Sequence, residues 1–196
     1  MLGLVSAMPS GWGPIAEAKI AEVVDAIPPG VISVLLTSAS EVEQIIAQQQ
    51  ICLAGALQLV DGLEAGGHAR LRRALPGVTI LQAVHVGDES SIDVAKALAP
   101  HVDGIILDTG SPNAETRVLG GTGLTHDWSI SARIVEAVDT PVFLAGGIKA
   151  HNVEEAVRTV KPYGLDLCTG VRVDGALKAD LLEEFMIAAA AARASH

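Results

Sequence analysis

The feature that most constrains the fold is a regular alternation of short apolar runs with segments of helical periodicity. Seven such pairs follow one another, with a repeat of about 25–30 residues. Strands separated by helices pair in parallel, because a helical crossover returns the chain to the same end of the sheet. No linker or change of composition interrupts the pattern, so residues 1–196 are predicted to form one domain. The predicted strands are 2–6, 31–36, 55–60, 78–86, 103–107, 141–144 and 165–167.

Strict alternation allows two architectures, an open doubly wound sheet and a closed TIM (βα)₈-type barrel. A doubly wound sheet usually carries its glycine turn after the first strand, but residues 8–13 read MPSGWG rather than GxGxxG. A barrel holds phosphate between its last two strands, where this chain has its glycine pair. The barrel is therefore predicted. Because seven units are visible, the simplest interpretation is that the first unit is missing ahead of Met1; a partner chain or another mode of closure are the alternatives.

The segment 141–172 is predicted to form a strand, a glycine turn at Gly146-Gly147, a helix, a second strand and a second glycine turn at Thr169-Gly170. Backbone N–H groups in such turns, together with nearby helix starts, favour the binding of a phosphate group. Glycine also serves simply as a turn residue, so the pattern by itself leaves both interpretations open.

Composition and charge exclude several classes of partner. The formal charge of −10 disfavours nucleic acid and anionic membranes, and no apolar run approaches the roughly 20 residues of a spanning helix. A phosphorylated small molecule remains compatible, because backbone amides bind anions locally. Cys52 and Cys168 form neither a CxxC pair nor a disulfide framework, which predicts a cytoplasmic protein.

Several motifs follow one another in order through the second half of the chain. They are ILDTG (106–110), GGTG (120–123), HDW (126–128), FLAGGIKAHNVEEAV (143–157) and GLDLCTGVR (164–172). In sequence and spacing they resemble the phosphoribosylanthranilate isomerase family, whose members are (βα)₈ barrels of tryptophan biosynthesis. The first half resembles the same family more weakly, through LGLVSAMPSG (2–11) and ALQLVD (56–61).

The resemblance implies an Amadori rearrangement that turns an aminoaldose into an aminoketose without a metal or an organic cofactor. It assigns Asp108 as the general acid that opens the sugar ring. The position of Asp108 agrees independently, because a carboxylate at the carboxyl end of a barrel strand faces the mouth. The resemblance also implies that Gly146, Gly147, Thr169 and Gly170 hold the substrate phosphate.

The chain departs from the family at several positions. The family's general base is a cysteine in a Lys-Ile-Cys-Gly motif at the end of the first strand, and this chain lacks that motif. The loop after residues 2–6 carries no basic residue, and Arg172 stands where the family has Glu. Trp12 and Arg172 are candidate substrate contacts that compensate for these changes, and Gln58 is a further candidate.

Other polar residues near the predicted site have equally simple structural interpretations. Asp166 either points towards the mouth or is a buried structural acid. Cys168 is interpreted as a small filler rather than a substitute base, and His126 as a solvated loop histidine. Asp127 is predicted to cap the helix that follows it. The histidines show no metal-ligand spacing.

Two functions from different classes follow. The first is an isomerase of phosphoribosylanthranilate, and the alternative is a non-catalytic or divergent phosphosugar-binding barrel that has lost the base. Another phosphate-binding barrel enzyme, such as an epimerase or a lyase, is a third interpretation. The expected partner is a small phosphosugar, and an unclosed barrel with two exposed strand edges also makes a homodimer an expectation.

Overall fold

The computed structural model describes residues 1–8, 13–109 and 125–194. Seven parallel strands form one sheet in which each strand pairs with its neighbours in sequence order, with β1 and β7 at the two edges. The strands are β1 (Leu2–Val5), β2 (Ser33–Thr37), β3 (Ala56–Leu59), β4 (Thr79–His85), β5 (Gly104–Asp108), β6 (Val142–Leu144) and β7 (Gly164–Leu165). This curled sheet with surrounding helices is a TIM-barrel-like (βα)₈ fold, as predicted.

A helix follows every strand of the sheet. The helices are α1 (Glu17–Ala26), α2 (Val42–Cys52), α3 (Gly67–Ala74), α4 (Ser90–Leu98), α5 (Trp128–Ala137), α6 (Val153–Val160) and α7 (Ala179–Ala194). Asp127 caps α5, as the sequence predicted, by accepting a hydrogen bond from the Ser129 N–H at 2.9 Å. In the part of the chain that the structure describes, none of the helices has the length and apolarity needed to cross a bilayer.

The apolar pattern of the sequence predicts a last helix from about Ala176 to Ala192, but α7 begins only at Ala179. A two-stranded hairpin, β8 (Arg172–Val173) and β9 (Ala176–Leu177), precedes α7. Asp174 (φ 50°) and Gly175 (φ 77°) form its two-residue turn, which requires positive φ at both central positions. The hairpin thus uses residues that the apolar pattern had assigned to the start of the helix.

The core has two layers, because successive side chains along each strand point to opposite faces. Leu35, Leu57 and Ile105 face the helices within the larger apolar cluster. The smaller cluster lines the inside of the barrel and contains Val34, Ala56, Leu81, Ile106 and Ala145. Since Asp108 lies two residues beyond Ile106 on β5, the same alternation directs its side chain inwards at the carboxyl end of the strand.

Candidate active site

A cavity lies at the carboxyl ends of β5, β6 and β7, where barrel enzymes bind their substrates. Its walls come from the last residue of β5 and from the loops that follow β6 and β7. The lining residues are Asp108, Ala145, Gly146, Gly147, Ile148, Asp166, Leu167, Cys168, Thr169 and Gly170. The structure therefore brings the predicted acid and all four predicted phosphate-binding residues to one place.

The loop after β6 has a conformation that depends on glycine. Gly146 and Gly147 have φ values of 78° and 67°, a region that other residues rarely adopt. Asn152 stabilises the loop through two hydrogen bonds. Its side-chain amide donates to the Gly147 carbonyl at 3.1 Å and accepts from the Lys149 N–H at 2.8 Å. The backbone N–H groups of the glycine pair form no hydrogen bond to another described residue, so they remain available to an anion.

Two close backbone approaches also require glycine. A Cβ at Gly146 would lie 2.8 Å from the Thr109 backbone nitrogen and 2.3 Å from its side-chain Oγ1, and a Cβ at Gly170 would lie 2.1 Å from the Ile148 carbonyl oxygen. The second contact brings the turn at residues 169–171 directly against the loop after β6. Any side chain at either position would separate the walls of the cavity.

The cavity changes the proton affinity of the Asp108 carboxyl group. Burial raises its pKa from 3.8 to about 6, although the Thr109 N–H donates to its Oδ1 at 2.7 Å and thereby lowers the pKa in part. His85 also lowers this pKa, whereas Asp166 raises it. The carboxyl group therefore keeps a protonated fraction near neutral pH, as a general acid requires.

Asp166 follows β7 directly and lines the same cavity. Its N–H donates to the Leu144 carbonyl at 2.9 Å, which extends the pairing of β6 and β7 by one residue. Burial raises the pKa of its carboxyl group. Of the two interpretations from the sequence, the placement agrees with a carboxyl group that points towards the mouth.

His126 lies in a different environment from the solvated loop that the sequence analysis expected. Its Nδ1 is 2.9 Å from Thr109 Oγ1, and its Nε2 is 2.6 Å from the hydroxyl of the buried Ser131. Burial lowers its pKa from 6.5 to about 4, so the ring is neutral at physiological pH. The expectation was wrong because the neighbouring hydroxyl groups, which satisfy the ring, come from a strand end and a helix that only the fold brings together.

His85 is a residue near the site for which the sequence analysis assigned no function. It ends β4, pairs in register with Asp108 on β5, and lies on the inward face together with Leu81 and Ala83. Its Nε2 lies 3.1 Å from the Val60 carbonyl oxygen. The alternation of side chains along β4 was the signal that would have placed it inside the barrel.

The remaining candidate residues lie around the site in different ways. Gln58 is on the inner face of β3, between Leu36 and Leu81. The Arg172 guanidinium donates to the Gly175 carbonyl at 2.7 Å. Trp12 and the segment 120–123 lie outside the described residues.

The two cysteines differ in position. Cys168 is exposed and lines the cavity beside the two carboxyl groups, and partial burial raises the pKa of its thiol. Cys52 is buried on the helical side of the sheet, with Sγ 3.8 Å from the Glu17 carbonyl oxygen. Among the residues of the three described ranges, His, Cys, Asp and Glu side chains form no group of three that would hold a metal ion.

Comparison with known proteins agrees with the site geometry. Residues 13–188 match the family model for N-(5'-phosphoribosyl)anthranilate isomerase. The isomerase of Haloferax volcanii is 39% identical over 180 residues, which cover 91% of this chain and 77% of the relative. Isomerase 2 of Methanosarcina mazei is 34% identical over 160 residues, covering 82% of this chain and 70% of that protein.

Solved structures of phosphoribosylanthranilate isomerases have the same fold. The Thermotoga maritima structure is 26% identical with a TM-score of 0.78, covering 96% of this chain and 87% of the other. The Thermus thermophilus structure has a TM-score of 0.79 at 23% identity, with 97% and 87% coverage. Since the family model matches most of the chain and the relatives exceed 30% identity, the chain belongs to the N-(5'-phosphoribosyl)anthranilate isomerase family.

Proposed function

We propose that this protein converts N-(5'-phosphoribosyl)anthranilate into 1-(o-carboxyphenylamino)-1-deoxyribulose 5-phosphate, an isomerisation step of tryptophan biosynthesis. The observation that carries the proposal is a buried carboxyl group, Asp108, with a pKa of about 6, in the same cavity as two glycine turns. A sugar phosphate needs both an acid for its ring and an anion site for its phosphate, and this cavity offers both groups. Family membership supports the same reaction.

Asp108 opens the sugar ring in the first step. Its proton passes to the ring oxygen while the bond between that oxygen and C1 breaks, and the anilino nitrogen lone pair forms the C1=N bond of an iminium ion. Asp108 becomes a carboxylate, and the ring oxygen becomes a hydroxyl group. Burial raises the pKa of Asp108, so a fraction of the side chain still holds the proton near neutral pH and is available to donate it.

A base completes the rearrangement in the second step. The base removes the proton from C2, the C–H electrons form C1=C2, and the iminium π electrons return to nitrogen. The resulting enol becomes the ketone when its hydroxyl proton is lost and C1 gains a proton, so the overall reaction is an isomerisation with no net gain or loss of protons. We propose that the N–H groups of residues 146–147 and 169–170 bind the phosphate throughout and hold C1 near Asp108.

The decisive experiment mixes purified protein with freshly prepared phosphoribosylanthranilate and follows the decay of substrate fluorescence. Turnover by the wild type, with a loss of about 10³-fold or more in Asp108→Asn, supports the proposal. Asp93→Asn, an exposed substitution on α4, serves as the matched control and is expected to leave the rate unchanged. An unchanged rate in Asp108→Asn would remove the acid role from Asp108.

The same experiment separates the isomerase from a phosphosugar-binding barrel without catalytic activity. If the wild type binds the reduced product analogue 1-(o-carboxyphenylamino)-1-deoxyribulose 5-phosphate but does not consume substrate, the second function applies. That analogue is bound in one of the structurally similar isomerases, which is 22% identical to this chain.

We also propose that the protein acts in the cytoplasm and forms a homodimer. Exposed apolar side chains on the outer face of α7, Met186 and Ile187, are compatible with a subunit contact. One similar solved structure shows monomers generated from the isomerase of Thermotoga maritima, which is described there as dimeric. Light scattering coupled to gel filtration measures the molar mass directly, and a mass near 20.1 kDa would contradict the dimer.

A further inference from the structure

The proposed phosphate site lies in a negative electrostatic environment. The protein has a formal charge of −10, and its cavity contains the carboxyl groups of Asp108 and Asp166. A phosphate monoester itself carries a charge of about −1.5 to −2 at neutral pH. The backbone N–H groups of the glycine turns supply only partial positive charges. A side-chain cation close to these turns would therefore increase the affinity of the cavity for the phosphate.

Arg172 follows the turn at residues 169–171 directly and keeps an uncompensated charge. Its backbone N–H donates to the Thr169 carbonyl and closes that turn. Its Nη1 donates to the Gly175 carbonyl at 2.7 Å, which leaves other guanidinium N–H groups free to bind an anion. The residue is half-buried, and in the part of the chain that the structure describes no carboxylate forms a salt bridge with it.

The guanidinium group of Arg172 lies next to the cavity, beside Cys168. Cys168 lines the cavity, and its pKa is raised first by burial and then by the charges of Asp166 and Asp108. The charge of Arg172 and a hydrogen bond from its side chain lower the same pKa. The thiol thus interacts with the carboxyl groups inside the cavity and with the guanidinium group, which places Arg172 at the rim.

Lys149 approaches the same turn from the loop after β6. Its Cγ lies 3.4 Å from the position that a Cβ at Gly170 would occupy, so its side chain runs beside that turn. The side chain of Asn152 fixes the backbone there by accepting from the Lys149 N–H at 2.8 Å. Lys149 is exposed and forms no salt bridge with a described residue. Cations from two different loops therefore flank the glycine turns.

We propose that Arg172 and Lys149 form a cationic rim that attracts the substrate phosphate to the cavity and strengthens its binding. This inference rests on the proposed isomerase function and assigns the charged groups of its phosphate site. Arg172 has the larger effect, because a half-buried charge is screened less by water and salt than an exposed one. Neither side chain transfers a proton in the proposed reaction, so the rim changes substrate binding and leaves kcat unchanged.

The test compares the wild type with Arg172→Gln, Lys149→Gln and Arg158→Gln. Arg158 is exposed in the last turn of α6, at the end of the helix remote from the cavity, so this variant is the matched control for the loss of one positive charge. Turnover of phosphoribosylanthranilate gives kcat and KM. Inhibition by inorganic phosphate and by anthranilate is measured separately, because these probes represent the two anionic ends of the substrate.

We expect KM to rise about 10- to 100-fold in Arg172→Gln, as is typical for the loss of a charged hydrogen-bond donor, and about 3-fold in Lys149→Gln. Inhibition by inorganic phosphate should weaken by similar factors, whereas inhibition by anthranilate should not change. The control Arg158→Gln should match the wild type in every quantity. Arg172→Lys, which retains the charge, should recover part of the lost affinity.

Salt dependence separates an electrostatic role of Arg172 from a structural one. The Debye length falls from about 30 Å at 0.01 M salt to about 3 Å at 1 M. The ratio of KM in Arg172→Gln to KM in the wild type is therefore expected to decrease as salt is added. A defect caused only by the lost hydrogen bond to Gly175 would give a constant ratio.

Four results would each overturn the proposal: an unchanged KM in Arg172→Gln, an equal effect of Arg158→Gln, a change confined to anthranilate inhibition, or a KM ratio independent of salt. If circular dichroism shows that Arg172→Gln does not fold, unchanged phosphate inhibition in Lys149→Gln would overturn it instead. Absence of turnover by the wild type would refute the isomerase function. Calorimetric titration of the same variants with inorganic phosphate would still test the rim.

Discussion

The two halves of the barrel differ in how fully their buried polar side chains are hydrogen-bonded. In the first half, Ser6, Glu17, Thr37 and Gln48 form a network between strand ends and helices. Ser6 Oγ donates to Glu17 Oε1 at 2.8 Å, Gln48 Nε2 donates to the same oxygen at 3.1 Å, and Thr37 Oγ1 donates to Gln48 Oε1 at 2.7 Å. Hydrogen bonds, first from its own backbone and then from Ser6 and Gln48, lower the pKa of Glu17.

In the second half, carboxyl groups are buried with fewer donors. Burial raises the pKa of Asp108 to about 6, and it also raises that of Asp166. The strands are shorter as well: β6 has three residues and β7 has two, whereas β4 has seven. Polar groups that are hydrogen-bonded within the protein stabilise the first half, whereas the second half contains buried carboxyl groups with raised pKa values.

The largest effect is expected from a single added methyl group in the second half. Gly170→Ala places a Cβ 2.1 Å from the Ile148 carbonyl oxygen, so the backbone must move. We expect a loss of about 3 kcal/mol in the free energy of unfolding and a fall of about 100-fold in kcat/KM, because the proposed phosphate site would open. Urea denaturation and the fluorescence assay measure the two quantities.

The control for this prediction is Gly62→Ala in the first half. A Cβ at Gly62 meets no atom within 4 Å, and its backbone is outside the positive-φ region. We expect a change within about 0.5 kcal/mol. Equal effects of the two substitutions would contradict the view that only the second half depends on close backbone contact.

Truncation of a core side chain in the first half should change stability alone. Leu57 on β3 is fully buried against the helices. Leu57→Ala is expected to lower the free energy of unfolding by about 3 kcal/mol, through lost apolar burial and the cavity that remains. The kcat of the folded fraction at low temperature should stay within about two-fold of the wild type. A large fall in kcat would show that the halves are coupled.

The smallest effect is a gain in stability from Asp108→Asn that depends on pH. The folded-state pKa of about 6 lies above the ordinary value of 3.8, so the wild type has its full stability below pH 3.8 and loses part of it as the pH rises through 6. Asparagine carries no charge and can still accept from the Thr109 N–H. We expect the variant to be about 2 kcal/mol more stable at pH 8 and equal to the wild type near pH 4.

Urea denaturation at several pH values measures this difference, with the exposed Asp93→Asn as the control that should follow the wild type. A stability difference that does not change with pH would mean that Asp108 is not held in its unfavourable charged form. If Asp108→Asn is more stable than the wild type at pH 8 and has also lost turnover, then Asp108 lowers the stability of the protein and is needed for its activity.

Much of the site could be predicted from the sequence, because its residues stand at fixed positions relative to neighbouring apolar runs. A carboxylate directly after an apolar run predicted the place of Asp108. Glycine turns after the next two runs, Gly146-Gly147 and Thr169-Gly170, predicted the walls of the cavity. His126 was interpreted wrongly and His85 received no role. Their environments depend on Ser131 of α5 and on Val60 after β3, which lie 5 and 25 residues away along the chain.

By itself the sequence determined the alternation of strands and helices, the parallel order of the sheet and the family, since apolar periodicity and motif spacing are properties of the chain alone. Only the tertiary structure decided which carboxyl groups have raised pKa values, which glycines admit no Cβ and which histidine lies beside Asp108. Burial, backbone approach and register between strands depend on residues distant in sequence, and they exist only after the sheet has curled.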